Sequence, residues 1–173
     1  MAAFTSHVSA NIGHIIFNKP PVNAFDSHEW AAIAAEIQAL GVRDDVHVIV
    51  MSAEGRGFCA GVDIKELGAH PEMIVPVNKG NYDTFEAIHK NPKPVIVALH
   101  GFVLGGGIGI AGAADIIVAS ECATFGVPEV DRGSVDPARA QSRQLLELGC
   151  VRHSSRTRIE TASPRKPTFL RHW

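Results

Sequence analysis

Two glycine-bearing stretches hold the residues whose types and spacing could do chemistry, Phe58-Cys59-Ala60-Gly61 and Gly101-Phe102-Val103-Leu104-Gly105-Gly106-Gly107. What they offer is main chain, because glycine and alanine leave backbone amides open to the close approach of another group. The longer stretch admits three readings. The uncharged run from Val95 to Ala114 has the 20 residues a membrane-spanning helix needs. Gly107-Ile108-Gly109-Ile110-Ala111-Gly112 spells the G-x-G-x-x-G of dinucleotide-binding loops. Open amides can also stabilise an oxygen that gains negative charge during a reaction.

Spacing separates the three. Six of the 20 residues in the apolar run are glycine, three of them consecutive, and Val95-Ile96-Val97 begins it with β-branched residues. That composition weakens a helix and points instead to a buried strand leading into a loop. In the dinucleotide fingerprint the first glycine follows the strand directly, so that the turn delivers a pyrophosphate to the helix N-terminus. Here the strand is expected to end near Leu99, well before Gly107, and no G-x-x-x-x-G-K-[ST] loop is present. The third reading uses both stretches together. An acyl thioester deprotonated beside its carbonyl, or attacked by water across a conjugated double bond, places negative charge on the thioester oxygen. Two N–H groups aimed at that oxygen stabilise it without rearranging, and an apolar helix starting at Gly105 to Gly107 adds the positive end of its dipole.

The elements that must position these loops are strands and helices in alternation. Gly13 to Phe17 predicts a strand that stops at Asn18-Lys19-Pro20-Pro21. Asp26 or Ser27 is a suitable N-cap for a helix in which Trp30, Ile33, Ile37 and Leu40 share one face, with Gly41 expected as a left-handed cap at its end. Val46 to Met51 and Val95 to Leu99 are two further strands, each emptying into one of the glycine stretches. Between them, Asn78 to Lys90 predicts a helix with Tyr82, Phe85 and Ile88 on one side, terminated by Pro92 and Pro94. Ile116 to Ala119 predicts another strand, with Asp115 as a structural cap where it opens. This cadence predicts α/β construction with buried, largely parallel strands.

The bulk properties narrow the function classes. The 173 residues are the length of one domain, and 46% hydrophobic against 20% charged composition is that of a globular chain. A net charge of −2 makes no general case for a nucleic-acid partner. Cys59, Cys122 and Cys150 are odd in number and widely spaced, which is neither a disulfide framework nor a zinc pattern, so a reducing cytoplasm is expected. His28, His47, His89 and His100 lack metal-ligand spacing, and no metal is expected. The start of the chain shows no basic region followed by an apolar core, so no secretory signal is expected.

Several ordered motifs together resemble one family. Phe58-Cys59-Ala60-Gly61-Val62-Asp63-Ile64-Lys65-Glu66-Leu67 resembles the loop that supplies one oxyanion-hole amide and part of the coenzyme A site in enoyl-CoA hydratases and isomerases. Asn18-Lys19-Pro20, Asn23-Ala24, Lys93-Pro94-Val95-Ile96, the Gly101 to Gly107 stretch and Phe125-Gly126-Val127-Pro128-Glu129-Val130 are similar to this crotonase superfamily in the same order, over about residues 10–133. The resemblance implies a spiral core of repeated strand-strand-helix units acting on acyl-CoA thioesters, with coenzyme A entering as part of the substrate and no separate cofactor. It also implies that the amides of Ala60 and Gly106 form the oxyanion hole and that Glu129 is the acid/base. Cys59, Gly61, Asp63, Ile64, Lys65, Gly105 and Gly107 are then expected at the substrate and coenzyme A site. Homo-trimers or hexamers are the family's assemblies.

Two departures shape the expected function. Family hydratases place a second glutamate two residues after the triple glycine, where this chain has Gly109. Two carboxylates hold and activate a water, whereas one can lift a proton from one carbon and return it to another. The resemblance therefore leans toward double-bond isomerisation of 3-enoyl-CoA through a dienolate, with Glu129 as the shuttle and Asp131 near enough in sequence to assist. The second departure is compositional. Residues 1–133 carry 8 Lys+Arg against 15 Asp+Glu, a net of −7, and residues 134–173 carry 8 against 3, a net of +5. The tail from Ser134 shows no clear period, which is the pattern expected of a changed reading frame, so the core is expected at 1–133 and an atypical, frameshifted or disordered basic tail at 134–173. On that view the family's trimer-building region is missing, and a non-catalytic remnant is the alternative to an enzyme. A nicotinamide-binding protein is the third alternative.

Overall fold

The computed structural model describes residues 2–127 and the backbone of residues 158–159. Strand β1 (Phe4–Ser9) and strand β2 (Ile12–Phe17) form an antiparallel hairpin, turned by Ala10 and Asn11 at φ of 50° and 64°. Both turn residues lie in the left-handed region that two-residue hairpin loops demand. β2 then pairs in parallel with β4 (Val48–Ala53), β4 with β7 (Val95–Leu99), and β7 with β9 (Ile116–Ala119). The result is a five-stranded sheet in the order β1-β2-β4-β7-β9. Its inner strands alternate buried and half-buried residues, and Ile15, Phe17, Ile49, Met51, Val95 and Val97 point into the core.

Helix α1 (Ser27–Gly41) covers that core. Asp26 caps it with a reciprocal capping box, its side chain accepting from the Glu29 amide while the Glu29 carboxylate accepts from the Asp26 amide. Trp30, Ile33, Ala34, Ile37 and Leu40 form the buried stripe, as their spacing predicts. Gly41 differs from expectation. It is the last helical residue and not a left-handed cap, and a Cβ there would stand 2.8 Å from Asn91 Nδ2, so its smallness serves close packing.

Helix α3 (Ile74–His89) starts four residues before the expected Asn78, because Pro76 lies in its first turn, where no intrahelical amide is needed. Its buried face is Val77, Asn81, Thr84, Phe85 and Ile88, and Tyr82 is turned out at 59% exposure. The apolar run that could have spanned a membrane divides into β7, strand β8 (Phe102–Leu104) and helix α4 (Gly106–Ala113). Among the described residues no helix is long and apolar enough to cross a membrane. Asp115 does act structurally, its Oδ2 accepting from the Val95 amide at 2.7 Å and its own amide bonding Val95 O.

Two smaller sheets complete the description. Strands β5 (Gly57–Cys59), β8, β10 (Thr124–Gly126) and β11 (Arg158–Ile159) form a parallel four-stranded sheet in the order β11-β10-β8-β5. Strands β3 (Ala24–Phe25) and β6 (Gly61–Val62) form a parallel pair, and helix α2 (Ile64–Ala69) follows β6. The units β4-β5-β6-α2 and β7-β8-α4 each run from strands into a helix, the first with one additional two-residue strand, β6. The boundary at Gly133 and nearly all of the expected tail lie outside the described residues, and β11 is the one tail segment within them.

Candidate active site

Parallel pairing sends the loops after β5, β8 and β10 out of the same edge of their sheet, the place where parallel sheets carry ligands. Register does the rest. Cys59 pairs with Val103, so the residues that follow, Gly61 and Gly105-Gly106, come side by side. A Cβ on Gly61 would lie 3.1 Å from the Gly106 nitrogen and 3.3 Å from Leu104 O. Gly61 and Gly105 take φ of 90° and 49°, conformations that L side chains rarely adopt. Gly105 donates to Gly126 O at 3.2 Å, which ties the third loop to the second.

Hydrogen bonding decides which amides are open. The Ala60 N–H is shared between Val22 O at 3.1 Å and Asn23 O at 3.2 Å, so the Ala60 donor inferred from the motif is already spent. The Gly61 amide donates to Cys59 Sγ at 3.3 Å and the Asp63 amide to Phe25 O at 2.9 Å. Amides of successive strand residues point to opposite sides, so Val62, between Gly61 and Asp63, turns its N–H away from β3. On the other loop Gly106 is the first residue of α4, and its N–H belongs to the first turn, whose amides have no partner within the helix. The glycines of the G-x-G-x-x-G string are helical: Gly107 packs on Cys59 O and Gly109 on Phe85. None forms the strand-to-helix turn that a pyrophosphate requires, and the dinucleotide reading fails on that geometry.

The surroundings of α4 are tight. A Cβ on Gly106 would stand 2.8 Å from both Asn81 Oδ1 and Trp30 Cζ2. A Cβ on Gly109 would stand 2.2 Å from Phe85 Cζ. The place where a second carboxylate would be carried is therefore filled by an aromatic ring from α3.

The loop after β5 is held by polar contacts more than by burial, since α2 has no buried residue. Asn23, buried and at φ 52°, accepts from the Lys19 amide at 2.7 Å and donates to Glu54 O and Gly57 O, both at 3.0 Å. Glu66 accepts from the Ser27 amide at 3.1 Å and the Ser27 hydroxyl at 3.0 Å, binding α2 to the start of α1. Lys19 Nζ lies 2.5 Å from Glu29 and 3.5 Å from Asp63. Burial disfavours the Lys19 charge, but the hydrogen bond to Glu29 and the neighbouring carboxylates outweigh it, and its pKa is raised.

The other expected site residues separate clearly. Cys59 is fully buried, and burial pushes its thiol up to about 12, so it is a core residue whose sulfur holds the Gly61 amide and not a group facing a ligand. Asp63 caps α2 by accepting from the Lys65 amide at 3.0 Å. Ile64 and Lys65 are exposed. Glu129 and Asp131 lie outside the described residues. Val62, Asn23, Glu66, Trp30, Asn81 and Phe85 are the residues motif reasoning did not select. Among the described residues no cluster of three or more His, Cys, Asp or Glu could hold a metal ion.

The family profile described as enoyl-CoA hydratase/isomerase matches residues 7–153. The chain belongs to the enoyl-CoA hydratase/isomerase family. The match reaches past Gly133 and so takes in part of the tail. Among curated relatives, a (7aS)-7a-methyl-1,5-dioxo-2,3,5,6,7,7a-hexahydro-1H-indene-carboxyl-CoA hydrolase of Rhodococcus jostii is 43% identical over 89% of this chain and 58% of its own length. The protein of the same name from Mycobacterium tuberculosis is 41% identical over 89% of this chain and 61% of its own. A probable enoyl-CoA hydratase of Bacillus subtilis is 32% identical over 84% of this chain and 57% of its own. The crotonase-family crystal structure from Legionella pneumophila superposes with a TM-score of 0.77 at 26% identity, over 85% of this chain and 58% of that one. The family fold is therefore shared, and the chain spans about three-fifths of the length of these relatives.

Proposed function

We propose that this chain binds an acyl-CoA thioester with its carbonyl oxygen between the amides of Gly106 and Val62, and that the site stabilises the thioester enolate. The observation that carries this is the approach of Gly61, at φ 90°, to the Gly106 nitrogen, with the Ala60, Gly61 and Asp63 amides all engaged elsewhere. An amide pair of this kind contributes through charge that develops only in the transition state; loss of one donor typically costs about 2.7–4 kcal/mol. Coenzyme A enters as part of the substrate.

Glu129 is the proposed acid/base. It follows Gly126, whose carbonyl accepts from the Gly105 amide, by three residues in the chain. With Phe85 filling the space beside Gly109, one carboxylate serves the site. It would take a proton from C2 of a 3-enoyl-CoA and return it to C4, moving the double bond into conjugation with the thioester.

A second outcome of the same enolate chemistry is hydrolysis of an oxo-substituted carboxyl-CoA, favoured by the two relatives of that name at 43% and 41% identity. Purified 173-residue protein supplied with 3-enoyl-CoA, 2-enoyl-CoA and 3-oxoacyl-CoA separates these outcomes. A shift into conjugation without change of mass supports isomerisation, and cleavage with uptake of water supports hydrolysis. Glu129→Gln is expected to lower either rate by about 10²- to 10⁴-fold. Turnover that survives the substitution removes Glu129, and no reaction with any of the three would leave the non-catalytic alternative standing.

A further inference from the structure

A single ammonium links the starts of two helices at the proposed site. Lys19 follows β2, and Asn23 fixes its backbone from both sides, Oδ1 accepting from the Lys19 amide at 2.7 Å and the Asn23 amide donating to Lys19 O at 2.8 Å. Asn23 itself is buried and bound to Glu54 O and Gly57 O. From this anchored base Lys19 Nζ donates to Glu29 Oε2 at 2.5 Å and stands 3.5 Å from Asp63 Oδ2. Each carboxylate has a second task. Glu29 Oε2 also accepts from the Asp26 amide at 2.8 Å in the capping box of α1, and Asp63 Oδ1 accepts from the Lys65 amide at 3.0 Å at the start of α2. Asp63 directly follows Val62, so the bridge ends beside the proposed donor.

Stability does not account for this bridge. The caps of α1 and α2 are each complete without Lys19, and the side chains of Lys19, Glu29 and Asp63 are 26%, 21% and 26% exposed, where an ion pair contributes little. A phosphate of coenzyme A does not account for it either. Burial disfavours the Lys19 charge, but Glu29, Asp26 and Asp63 together outweigh burial, and another anion would approach against three carboxylates. What the bridge does fix is the placement of α2 and of the residues before it. α2 has no buried residue to hold it and β3 and β6 pair over two residues each, so polar contacts to the start of α1 carry the positioning. Placement matters at such a site, because a displacement of about 1 Å at the reacting groups can cost about 10² in rate.

We infer that Lys19 is a positioning residue, its ammonium holding Asp63 so that the adjacent Val62 N–H meets the thioester oxygen. The inference rests on the acyl-CoA reading of the site and names what sets its geometry. The 173-residue protein is compared with Lys19→Met, with Lys19→Arg, with Asp63→Asn, which keeps an oxygen for the Lys65 amide, and with the Lys19→Met/Asp63→Asn double variant. Amide hydrogen exchange needs no turnover. The Asp63 amide, bonded to Phe25 O, is expected to exchange about tenfold faster in Lys19→Met and to recover in Lys19→Arg, while the Ile49 amide, bonded to Pro94 O, stays unchanged. In exchange of the acyl-CoA α-proton, kcat should fall about tenfold in either single variant with KM within about twofold, and the double variant should be no slower than the singles. A KM that rises at constant kcat makes Lys19 a phosphate ligand and overturns the inference, as do additive losses in the double variant or an Asp63 amide whose exchange ignores the substitution. Lack of α-proton exchange in the unsubstituted protein removes the acyl-CoA reading, and the inferred role falls with it.

Discussion

Substituting Gly61 by alanine tests the proposed site where its two loops come side by side. The residue sits at φ 90°, where an L side chain costs about 1–2 kcal/mol, and that cost should appear as lowered stability. The added methyl would stand 3.1 Å from the Gly106 nitrogen, 3.3 Å from Leu104 O and 3.6 Å from Gly105 Cα. An oxyanion must approach the same nitrogen to about 2.9 Å, so methyl and oxyanion compete for one place. Loss of that donor predicts a fall of about 10² to 10³ in the rate of enolate formation. The two effects need separate measurements: thermal unfolding for the backbone cost, and NMR-monitored exchange of the acyl-CoA α-proton with deuterated solvent for the chemical one. Gly68→Ala is the control, since Gly68 lies in α2 with nothing within 4 Å of its Cβ position and should leave exchange unchanged. If Gly61→Ala stays folded and exchanges within about threefold of the parent, a single oxyanion-hole donor being worth 10² or more, then the Gly106 amide does not hold the thioester oxygen.

Other consequences follow from packing and burial. Gly109→Ala forces a methyl to within 2.2 Å of the Phe85 ring and is expected to cost about 1–3 kcal/mol in chemical denaturation, with Phe85→Leu recovering part of it in the double variant. Strictly additive losses would show that the ring and the helix do not compete for that space. Cys122 is exposed, and its hydrogen bond with Ser120 and that with the Gly101 backbone hold its thiol below the ordinary range, while burial carries Cys59 to about 12. Alkylation at pH 8 followed by peptide mapping should therefore label Cys122 and spare Cys59 in the folded protein. Labelling of Cys59 at a comparable rate would contradict its place in the core.

Much of the fold was legible along the chain because burial leaves a periodic trace. The stripe of Trp30, Ile33, Ile37 and Leu40, the capping residue Asp26 and the apolar runs of β2, β7 and β9 all appear where their spacing places them. The short strands β3, β5, β6 and β8 are too brief to show a period, and only the pairing partner makes each of them a strand. Tyr82 shows the limit of local pattern: it falls near the apolar spacing of α3 yet faces out, since the helix turns the register of Val77, Asn81, Thr84 and Ile88 toward its neighbours. Glycine ambiguity is similar, because smallness for packing at Gly41 and a left-handed backbone at Gly61 are written with one letter.

The order of motifs along the chain was enough to place the protein in its family and to mark two loops as the candidate site, since glycine and alanine leave a backbone open to approach. Which amides of these loops are engaged was decided only in three dimensions. Ala60 and Val62 are two residues apart and chemically alike as donors, and only the carbonyls of Val22, Asn23 and Phe25 engage the amides of Ala60 and Asp63, while Val62 turns its N–H away from β3. The same holds for Trp30 and Phe85, which pack beside Gly106 and Gly109 because helices that sequence separates are joined by packing.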